Sequence, residues 1–313
     1  MIFYQQDIPT LLASNKILFC QFYQGNLHTC NKNLEISNIR NKTIFIVLFM
    51  KIIDTHAHFD CFIRKNNIGE VLDRAKQNGI ARIIVPSASP ENWNEYEKLA
   101  KDNPNYIDWQ IGIHPSDIDE NSHLALDALS TFFTSNTPPC AIGEIGLDYY
   151  YLPKDKTEAN NIVKLQKEIF IRQINLAKDM QCPICVHARN AVDDAIKIIE
   201  ECDFDFSKVV FHCYAGNLQQ LKILNNLGGR ASFTGIITFS IADEMRECLL
   251  DQDVEKLMFE TDTPYLSPVP LRKHTNEPSH IVHTVEFASN LLKIPAKELA
   301  EITTKNAIEF FRL

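Results

Sequence analysis

The chain has 313 residues, 45% of them hydrophobic and 23% charged, which is ordinary for a soluble globular protein with one large domain or two smaller ones. Its formal net charge of −9 excludes a broad basic surface of the kind that holds duplex DNA by charge alone. No apolar run approaches the roughly 20 residues that cross a bilayer, and nine cysteines without a secretory signal indicate a reducing, cytoplasmic environment.

Residues 1–49 are rich in Asn, Ile, Phe and Lys and show no clear hydrophobic period or helix-capping pattern. Met50 then stands immediately before a predicted strand in the sequence MKIIDTHAH. We therefore predict one domain at 50–313 and interpret 1–49 as an N-terminal extension upstream of a natural start at Met50. An N-terminus of the native protein mapped before residue 40 would refute this interpretation. The alternative is that 1–49 adds a genuine layer over the domain.

From Met50 onward, short apolar strands alternate with helical patterns. Runs rich in Val, Ile and Phe, typical of strands buried on both faces, predict strands at 51–56, 81–87, 107–113, 140–144, 182–187, 208–212, 230–237 and 256–261. Apolar residues at three- and four-residue spacing predict helices at 67–79, 91–102, 122–135, 158–180, 190–201, 217–227, 240–251, 278–293 and 296–311. Cys182 and Cys185 in CPIC lie in an apolar run, so we interpret them as core residues rather than as a redox or zinc pair.

Eight strand–helix repeats predict an α/β fold of the TIM (β/α)8 barrel type. An open doubly wound sheet is the competing architecture. That rival is weakened because no glycine-rich phosphate loop follows the first strand. In a barrel the C-terminal ends of the strands carry the chemistry, so polar residues at those ends are the candidates for a site.

Histidines and carboxylates follow the predicted strands at one end of the barrel. His56 and His58 in DTHAHFD point to the same side, because side chains alternate along a strand. The later strand ends carry His114 in GIHP, Glu144 and Asp148 in GEIGLDYY, His187 and Arg189 in HAR, His212 in FHCYAG, and Glu260 and Asp262 in ETDTPY. Each residue alone is weak evidence for a functional site. The prediction of a site depends on their common location at one end of the barrel.

Burying four histidines and two carboxylates together on one rim would cost free energy unless a partner bound them. Divalent metal ions are the partner that such groups bind. Six ligands are too many for one tetrahedral ion that keeps an open position, but they suit two ions roughly 3.5–4 Å apart. Glu144 is the candidate bridge. The predicted division gives His56, His58 and Asp262 to one ion, and His187 and His212 to the other.

From residue 51 to the C-terminus, the chain resembles the TatD family of metal-dependent hydrolases. The motifs that carry the resemblance are, in order, the His-x-His pair, GIHP, GEIGLDYY, HAR, FHCYAG, ETDTPYL, RKHTNEP and the closing ITTKNAIEFF. The resemblance implies a TIM-barrel nuclease, a Mg²⁺-dependent DNase that often acts as a 3′–5′ exonuclease on single strands. The metal residues it implies are those just named, and its additional active-site histidine matches His114. The chain departs from the family pattern at Ala57 and Phe59, and at Lys273 and Thr275 in the basic segment 272–278.

The expected reaction is hydrolysis of a phosphodiester by a metal-activated water. Asp262 is the predicted general base, Glu144 bridges the ions, and His114 orients a phosphate or protonates the leaving group, unless it has only a structural role. Arg189 and Arg272 are candidate phosphate contacts, with a structural ion pair as the alternative for each.

Two further side chains near the strand ends receive predicted roles. Tyr149, with Tyr150 beside it, is a candidate to stack a base, although aromatic packing is the expected role of at least one of them. Asp148 is expected to orient a ligand histidine rather than to bind metal.

The predicted cofactors are therefore two divalent ions, Mg²⁺ for activity with Zn²⁺ or Mn²⁺ as alternatives, and the predicted partner is DNA as substrate, with no membrane. An ester or amide hydrolase on the same metal pair, for example one that removes a D-amino acid from tRNA, is the alternative enzyme. A non-catalytic metal-binding scaffold would lack an open position or a general base, and Asp262 argues against it.

Overall fold

The computed structural model describes residues 20–23, 26–29 and 50–313. Residue contacts divide the chain into two units, Met1–Phe49 and Met50–Leu313. In the first unit, Cys20–Tyr23 pairs antiparallel with Asn26–Thr29. Whether residues 1–49 belong to the native protein stays a prediction.

The second unit contains eight strands that form one parallel sheet in chain order. They are β1 Ile52–Asp54, β2 Ile80–Ser87, β3 Ile107–Ile111, β4 Ala141–Asp148, β5 Ile184–Arg189, β6 Val209–Phe211, β7 Arg230–Phe233 and β8 Met258–Phe259. Just beyond β1 and β8, Ala57 pairs with Thr263. The Asp262 N–H donates to the His56 carbonyl at 2.9 Å. We call this junction the seam, and it closes the sheet into the predicted barrel.

Helices connect the strands and cover the outside of the barrel. They are α1 Asp60–Arg64, α2 Ile68–Gln77, α3 Trp93–Asp102, α4 Ser122–Phe132, α5 Lys156–Met180, α6 Val192–Glu201, α7 Leu218–Leu227, α8 Asp243–Asp251, α9 Ile281–Leu292 and α10 Ala296–Phe311. Among the described residues, no helix is both long and apolar enough to cross a membrane.

Several predicted boundaries differ from the structure for local reasons. The strand predicted at 230–237 ends at Phe233, because the Thr234 side chain accepts a hydrogen bond from the Ile236 N–H and starts a 3₁₀ turn at Gly235–Thr238. The strand predicted at 256–261 is reduced to β8. The five residues of α1 were not predicted, since one turn is too short to display a hydrophobic period.

The barrel interior is filled with apolar side chains at the end opposite the strand C-termini. One buried cluster takes a side chain from each of six strands and adds three from α10: Ile53, Ile84, Ala141, Cys185, Val210 and Met258, with Ala307, Phe310 and Phe311. Six strands can share one cluster only inside the barrel. The polar residues are therefore confined to the C-terminal ends of the strands. Cys182 and Cys185 are buried free thiols, as a core role requires.

Candidate metal centre

Glu144 lies at the centre of the polar cluster, and its two carboxylate oxygens face different histidines. Oε2 lies 3.2 Å from His56 Nε2 and 3.4 Å from His58 Nε2. Oε1 lies 2.7 Å from His212 Nε2 and 2.8 Å from His187 Nδ1. One carboxylate thus joins two pairs of imidazoles. We call His56 and His58 the seam pair, and His187 and His212 the opposite pair.

The glycines of GEIG allow β4 to present Glu144 in this way. A Cβ on Gly143 would lie 2.3 Å from Gln110 Oε1, and a Cβ on Gly146 would lie 2.0 Å from the His187 carbonyl oxygen. Gly146 also has a φ of 141°, which side-chain-bearing residues rarely adopt. The register between β4 and β5 shifts between Ile142 and Ile145, the stretch that contains Glu144. Neither glycine can be replaced without moving the carboxylate or its neighbours.

The predicted catalytic residues Asp262 and His114 lie on the accessible side of the cluster. Asp262 Oδ1 is 3.5 Å from His58 Nε2, and His114 Nε2 is 3.3 Å from Glu144 Oε1. Their side chains are 15% and 17% exposed, whereas that of His56 is fully buried. All six predicted metal residues and His114 are therefore brought to one place.

The spacing of these atoms fits metal ligation. Two ligand nitrogens on one tetrahedral ion with bonds of about 2.0–2.1 Å lie about 3.3–3.4 Å apart. The Nε2 atoms of the seam pair are 3.2 Å apart, and Nδ1 of His187 is 3.3 Å from Nε2 of His212. Groups of potential ligands in the described chain include His56, His58 and Glu144 on one side, and His114, Glu144 and His187 on the other. The donor set is of the kind that divalent cations take.

Proton affinities in the cluster follow from burial and mutual charge. Burial would raise the pKa of Glu144, but His212 and the neighbouring imidazoles lower this pKa well below its usual range. Burial disfavours a charge on His58, yet Asp262 and Glu144 raise the pKa of its imidazole to about 10. The carboxylates therefore favour the protonated forms of His58, His187 and His212, whereas burial and the neighbouring His212 lower the pKa of His56. A divalent cation would displace those protons, because ligation requires neutral imidazole and ionised carboxylate.

A second set of groups stands behind the imidazoles. Asp148 Oδ2 lies 3.2 Å from His187 Nε2, which is the contact predicted for Asp148. Glu260 Oε1 lies 3.4 Å from His212 Nδ1. The Glu260 carboxylate also accepts hydrogen bonds from the Ser232 hydroxyl at 2.6 Å and from the Cys213 N–H. Glu260 therefore orients a histidine, a role that the sequence analysis did not assign to it.

Asp54 was also missed as a functional residue. It is fully buried and accepts hydrogen bonds from the Thr261 N–H at 2.9 Å, the Thr261 hydroxyl at 2.6 Å and the His56 N–H at 3.3 Å. Burial raises the pKa of Asp54 to about 8 in spite of these bonds. Asp54 joins β1 to the segment after β8 and thereby fixes His56 relative to Asp262. The only sequence signal for it was an acid at the start of the His-x-His motif.

The predicted substrate residues occupy more varied positions. The Arg189 guanidinium lies 3.7 Å from the centroid of the Tyr150 ring, and the Arg272 guanidinium lies 3.5 Å from that of Phe239. Within the described part of the chain neither arginine forms an ion pair, and Arg272 Nη1 donates to the Ser267 carbonyl at 3.3 Å. Phosphate contact by either arginine stays a prediction. The Tyr149 hydroxyl donates to Asp194 at 2.8 Å, which ties this side chain to α6. Base stacking by Tyr149 stays a prediction.

Segment 272–278 divides into an exposed half and a buried half. Arg272, Lys273 and Thr275 are exposed. Asn276 is fully buried and donates to the carbonyls of Thr261 and Tyr265 at 2.9 and 2.7 Å. Glu277 accepts two hydrogen bonds from the Arg74 Nε atom and one from Nη2. The buried half holds the loop after β8 in place, and the two departures of this segment from the family pattern, Lys273 and Thr275, fall in the exposed half.

Comparisons with known proteins agree with this description. A family model described as TatD related DNase matches residues 53–312. The uncharacterized metal-dependent hydrolase BU355 of Buchnera aphidicola is 33% identical over 272 residues, covering 84% of this chain and 100% of that protein. The uncharacterized metal-dependent hydrolase YabD of Bacillus subtilis is 31% identical over 262 residues, covering 83% and 98%. The crystal structure of YJJV, a TatD homolog from Escherichia coli K12, has a TM-score of 0.77 at 27% identity, covering 85% and 100%.

Proposed function

The chain belongs to the TatD family of metal-dependent hydrolases, and on that premise we propose that it hydrolyses phosphodiester bonds of DNA, as a 3′–5′ exonuclease on single strands. The observation that supports this most directly is the position of Glu144 between two pairs of imidazoles. Two cations held about 3.5–4 Å apart suit the displacement at a phosphate, since both the attacking and the leaving oxygen need stabilisation.

In the proposal, His56, His58 and Asp262 would hold one divalent cation, His187 and His212 would hold the other, and the carboxylate of Glu144 would serve both. Bound there, the cations supply positive charge that polarises a phosphate and lowers the pKa of a water. Mg²⁺ is the proposed ion for activity.

Asp262 is the proposed general base. Its carboxylate is partly exposed, and its pKa is lowered because His58 outweighs the effect of burial, so it is ionised and can accept a proton from water. The protein holds Asp262 by the seam hydrogen bond to His56 and by the buried Asn276. This support holds the Asp262 carboxylate beside His58.

His114 is the proposed donor to the phosphate or the leaving oxygen. The Ser116 N–H donates to His114 Nδ1 at 3.1 Å, so a neutral imidazole carries its proton on Nε2. Nε2 is the atom that faces Glu144 and the centre of the cluster. The proton is therefore held on the side where the substrate would bind.

The test is a nuclease assay of the full chain on end-labelled single-stranded DNA, with EDTA and then with Mg²⁺, Mn²⁺ or Zn²⁺. We expect a metal-dependent ladder that shortens from the 3′ end and that is absent in Asp262→Asn. Asp251→Asn is the matched control, since this acid is exposed at the C-terminus of α8, at the opposite end of the barrel. No cleavage with any metal, by folded protein that binds metal, would overturn the proposal.

Ester or amide hydrolysis is the second candidate, and one observation favours it. A cavity of about 510 Å³ between the loops after β5 and β6 is lined in part by Asp193, Asp194 and Glu244. Asp194 is paired with Lys167 at 2.6 Å, so Asp193 and Glu244 are the acids that would suit the ammonium group of an aminoacyl ester. The double substitution of Arg189 and Arg272 by Ala separates the two. If the double variant keeps its metal but no longer cleaves DNA, the result supports phosphodiester hydrolysis as the function. If the same variant still hydrolyses D-aminoacyl-tRNA, the result supports ester hydrolysis.

A further inference from the structure

Two adjacent tyrosines at the rim of the barrel are unusually exposed. Tyr150 is 55% and Tyr151 is 70% exposed, and they follow Asp148 at the end of β4. Their rings meet edge to face, with centroids 4.9 Å apart and planes at 88°. The preceding Tyr149 is half-buried and bound to Asp194, so it packs where the next two do not. The chain thus leaves two large aromatic faces in water beside the metal centre.

Arg189 adds a positive charge to this pair. Its guanidinium lies 3.7 Å from the Tyr150 centroid and 5.2 Å from the Tyr151 centroid, and Nη1 is 3.4 Å from the Tyr151 hydroxyl. No described carboxylate forms an ion pair with it. Arg189 does lower the pKa of the neighbouring Asp148, but it forms no ion pair with that carboxyl. A guanidinium that is stacked on one ring and not ion-paired keeps N–H groups for a phosphate.

The position of the three residues relates them to the reaction. Arg189 is paired with Asp148 across β4 and β5, and it stands two residues after His187. Asp148 in turn contacts His187. A planar group lying on the tyrosines would therefore be close to Asp148, which contacts His187 of the opposite pair.

We propose that Tyr150, Tyr151 and Arg189 form a stacking surface for an unpaired nucleobase of the substrate strand. The proposal rests on the proposed function, and it adds the reason why single strands would be preferred. Aromatic faces and a guanidinium bind any base without reading its edge. A base inside a duplex is already stacked and paired, so it cannot occupy this surface.

The test compares two 5′-labelled single strands that differ only at the three nucleotides of the 3′ end. One carries ordinary bases there, and the other carries abasic residues with the same phosphates. Stacking is worth about 1–3 kcal/mol per base, so the wild-type KM for the first cleavage should be at least about fivefold lower for the strand with bases.

In Tyr150→Ala and Tyr151→Ala we expect the KM ratio of the two strands to fall toward one, with kcat little changed. Tyr151→Phe retains the ring and should retain the ratio. Leu124→Ala is the control, because Leu124 is 70% exposed on α4 and should leave the ratio as in wild type. A ratio that survives both alanine substitutions would overturn the proposal, whether or not KM rises for both strands.

Binding without cleavage distinguishes this proposal from the proposed function. Fluorescence anisotropy in EDTA measures the affinity of the wild type and of the same variants for both strands. A preference for bases that Tyr151→Ala removes supports the stacking surface even if no metal restores cleavage. Equal affinity of the wild type for the two strands overturns it even if the exonuclease reading is correct.

Discussion

The two pairs of imidazoles around Glu144 are held in different ways. In the opposite pair, His187 has Asp148 behind it at 3.2 Å and His212 has Glu260 behind it at 3.4 Å. In the seam pair, the hydrogen-bond partner of the outer nitrogen of His56 among the described residues is the thiol of Cys185 at 3.7 Å.

The seam pair instead depends on the closure of the barrel. Asp54 binds both the His56 N–H and Thr261, and Asp262 is joined to His56 through the backbone. One pair is thus fixed by carboxylates behind its rings, and the other by the meeting of the first and last strands. Carboxylates behind a ligand histidine set its tautomer and raise its basicity. The two pairs should therefore respond to different substitutions.

The largest effect should come from Glu144→Gln, because this one side chain serves both pairs. Loss of the charge that serves both pairs should remove several kcal/mol of transition-state stabilisation. This corresponds to a fall in kcat/KM of about a thousandfold or more. The metal content of the purified protein should fall at the same time. Activity assays and elemental analysis measure both quantities.

Glu200→Gln is the control for this substitution, since Glu200 is exposed on α6, away from the cluster. Full metal content with full activity in Glu144→Gln would show that the carboxylate does not join the pairs.

Asp148→Asn and Glu260→Gln should weaken only the opposite pair. Removing a carboxylate behind a ligand histidine typically costs about 10–100-fold in metal affinity. We expect titration with a metal-sensitive chelator to show one weakened binding event and one unchanged event. Asp194→Asn is the control, because Asp194 binds Tyr149 and Lys167 and no histidine of the cluster. Equal weakening of both binding events would contradict the conclusion that the two pairs of imidazoles are held by different groups.

Glu277→Gln should loosen the loop that carries Asp262 and so act on the seam side. Burial would raise the pKa of Glu277, but Arg74 lowers it below the ordinary 4.5. The stabilisation is therefore present above pH 4.5 and is lost as the pH falls through the folded-state pKa. Because Arg74 is 44% exposed, we expect a decrease of only about 1 kcal/mol in the free energy of unfolding near neutral pH.

Urea unfolding measured from about pH 7 down to about pH 3 checks this pH dependence, since the difference from wild type should shrink toward acid. Glu70→Gln is the control, because Glu70 lies 3.9 Å from the same arginine and is exposed. A difference that stays constant over this range would assign the effect to packing instead of charge.

The smallest effect should come from Cys185→Ser. A thiol is a weak hydrogen-bond partner for His56, so replacing it should change metal affinity by about threefold or less. The same chelator titration measures the change, and Asp148→Asn provides the scale. A loss as large as that of Asp148→Asn would show that the outer nitrogen of His56 matters as much as that of His187.

Much of the fold and of the cluster could be predicted because the signals are local. Parallel strands buried on both faces appear as continuous apolar runs, and the residue that ends each run lies at one rim of a barrel. The convergence of His56, Glu144 and His212 required nothing more than this rule.

The arrangement after β8 could not be predicted from periodicity. Glu260 and Asp262 are two residues apart and would share a face on a regular strand, yet Glu260 lies behind His212 and Asp262 faces His58. The strand ends at Phe259, and Asp262 has a φ of 54°, so alternation no longer applies. The partners of Arg189 and Tyr149 were equally out of reach, because they depend on how loops from different strands pack.

Because the seam joins residues that are far apart in the sequence, it also determines when the metal centre can form during synthesis of the chain. Thr261 and Asp262, which complete the surroundings of residues 54–58, are made some 200 positions after them. Phe310 and Phe311, which belong to the apolar cluster inside the barrel, follow later still. During synthesis His56 and His58 therefore exist first without Asp262 and without a closed barrel. The candidate metal centre cannot form before the segment after β8 has been made.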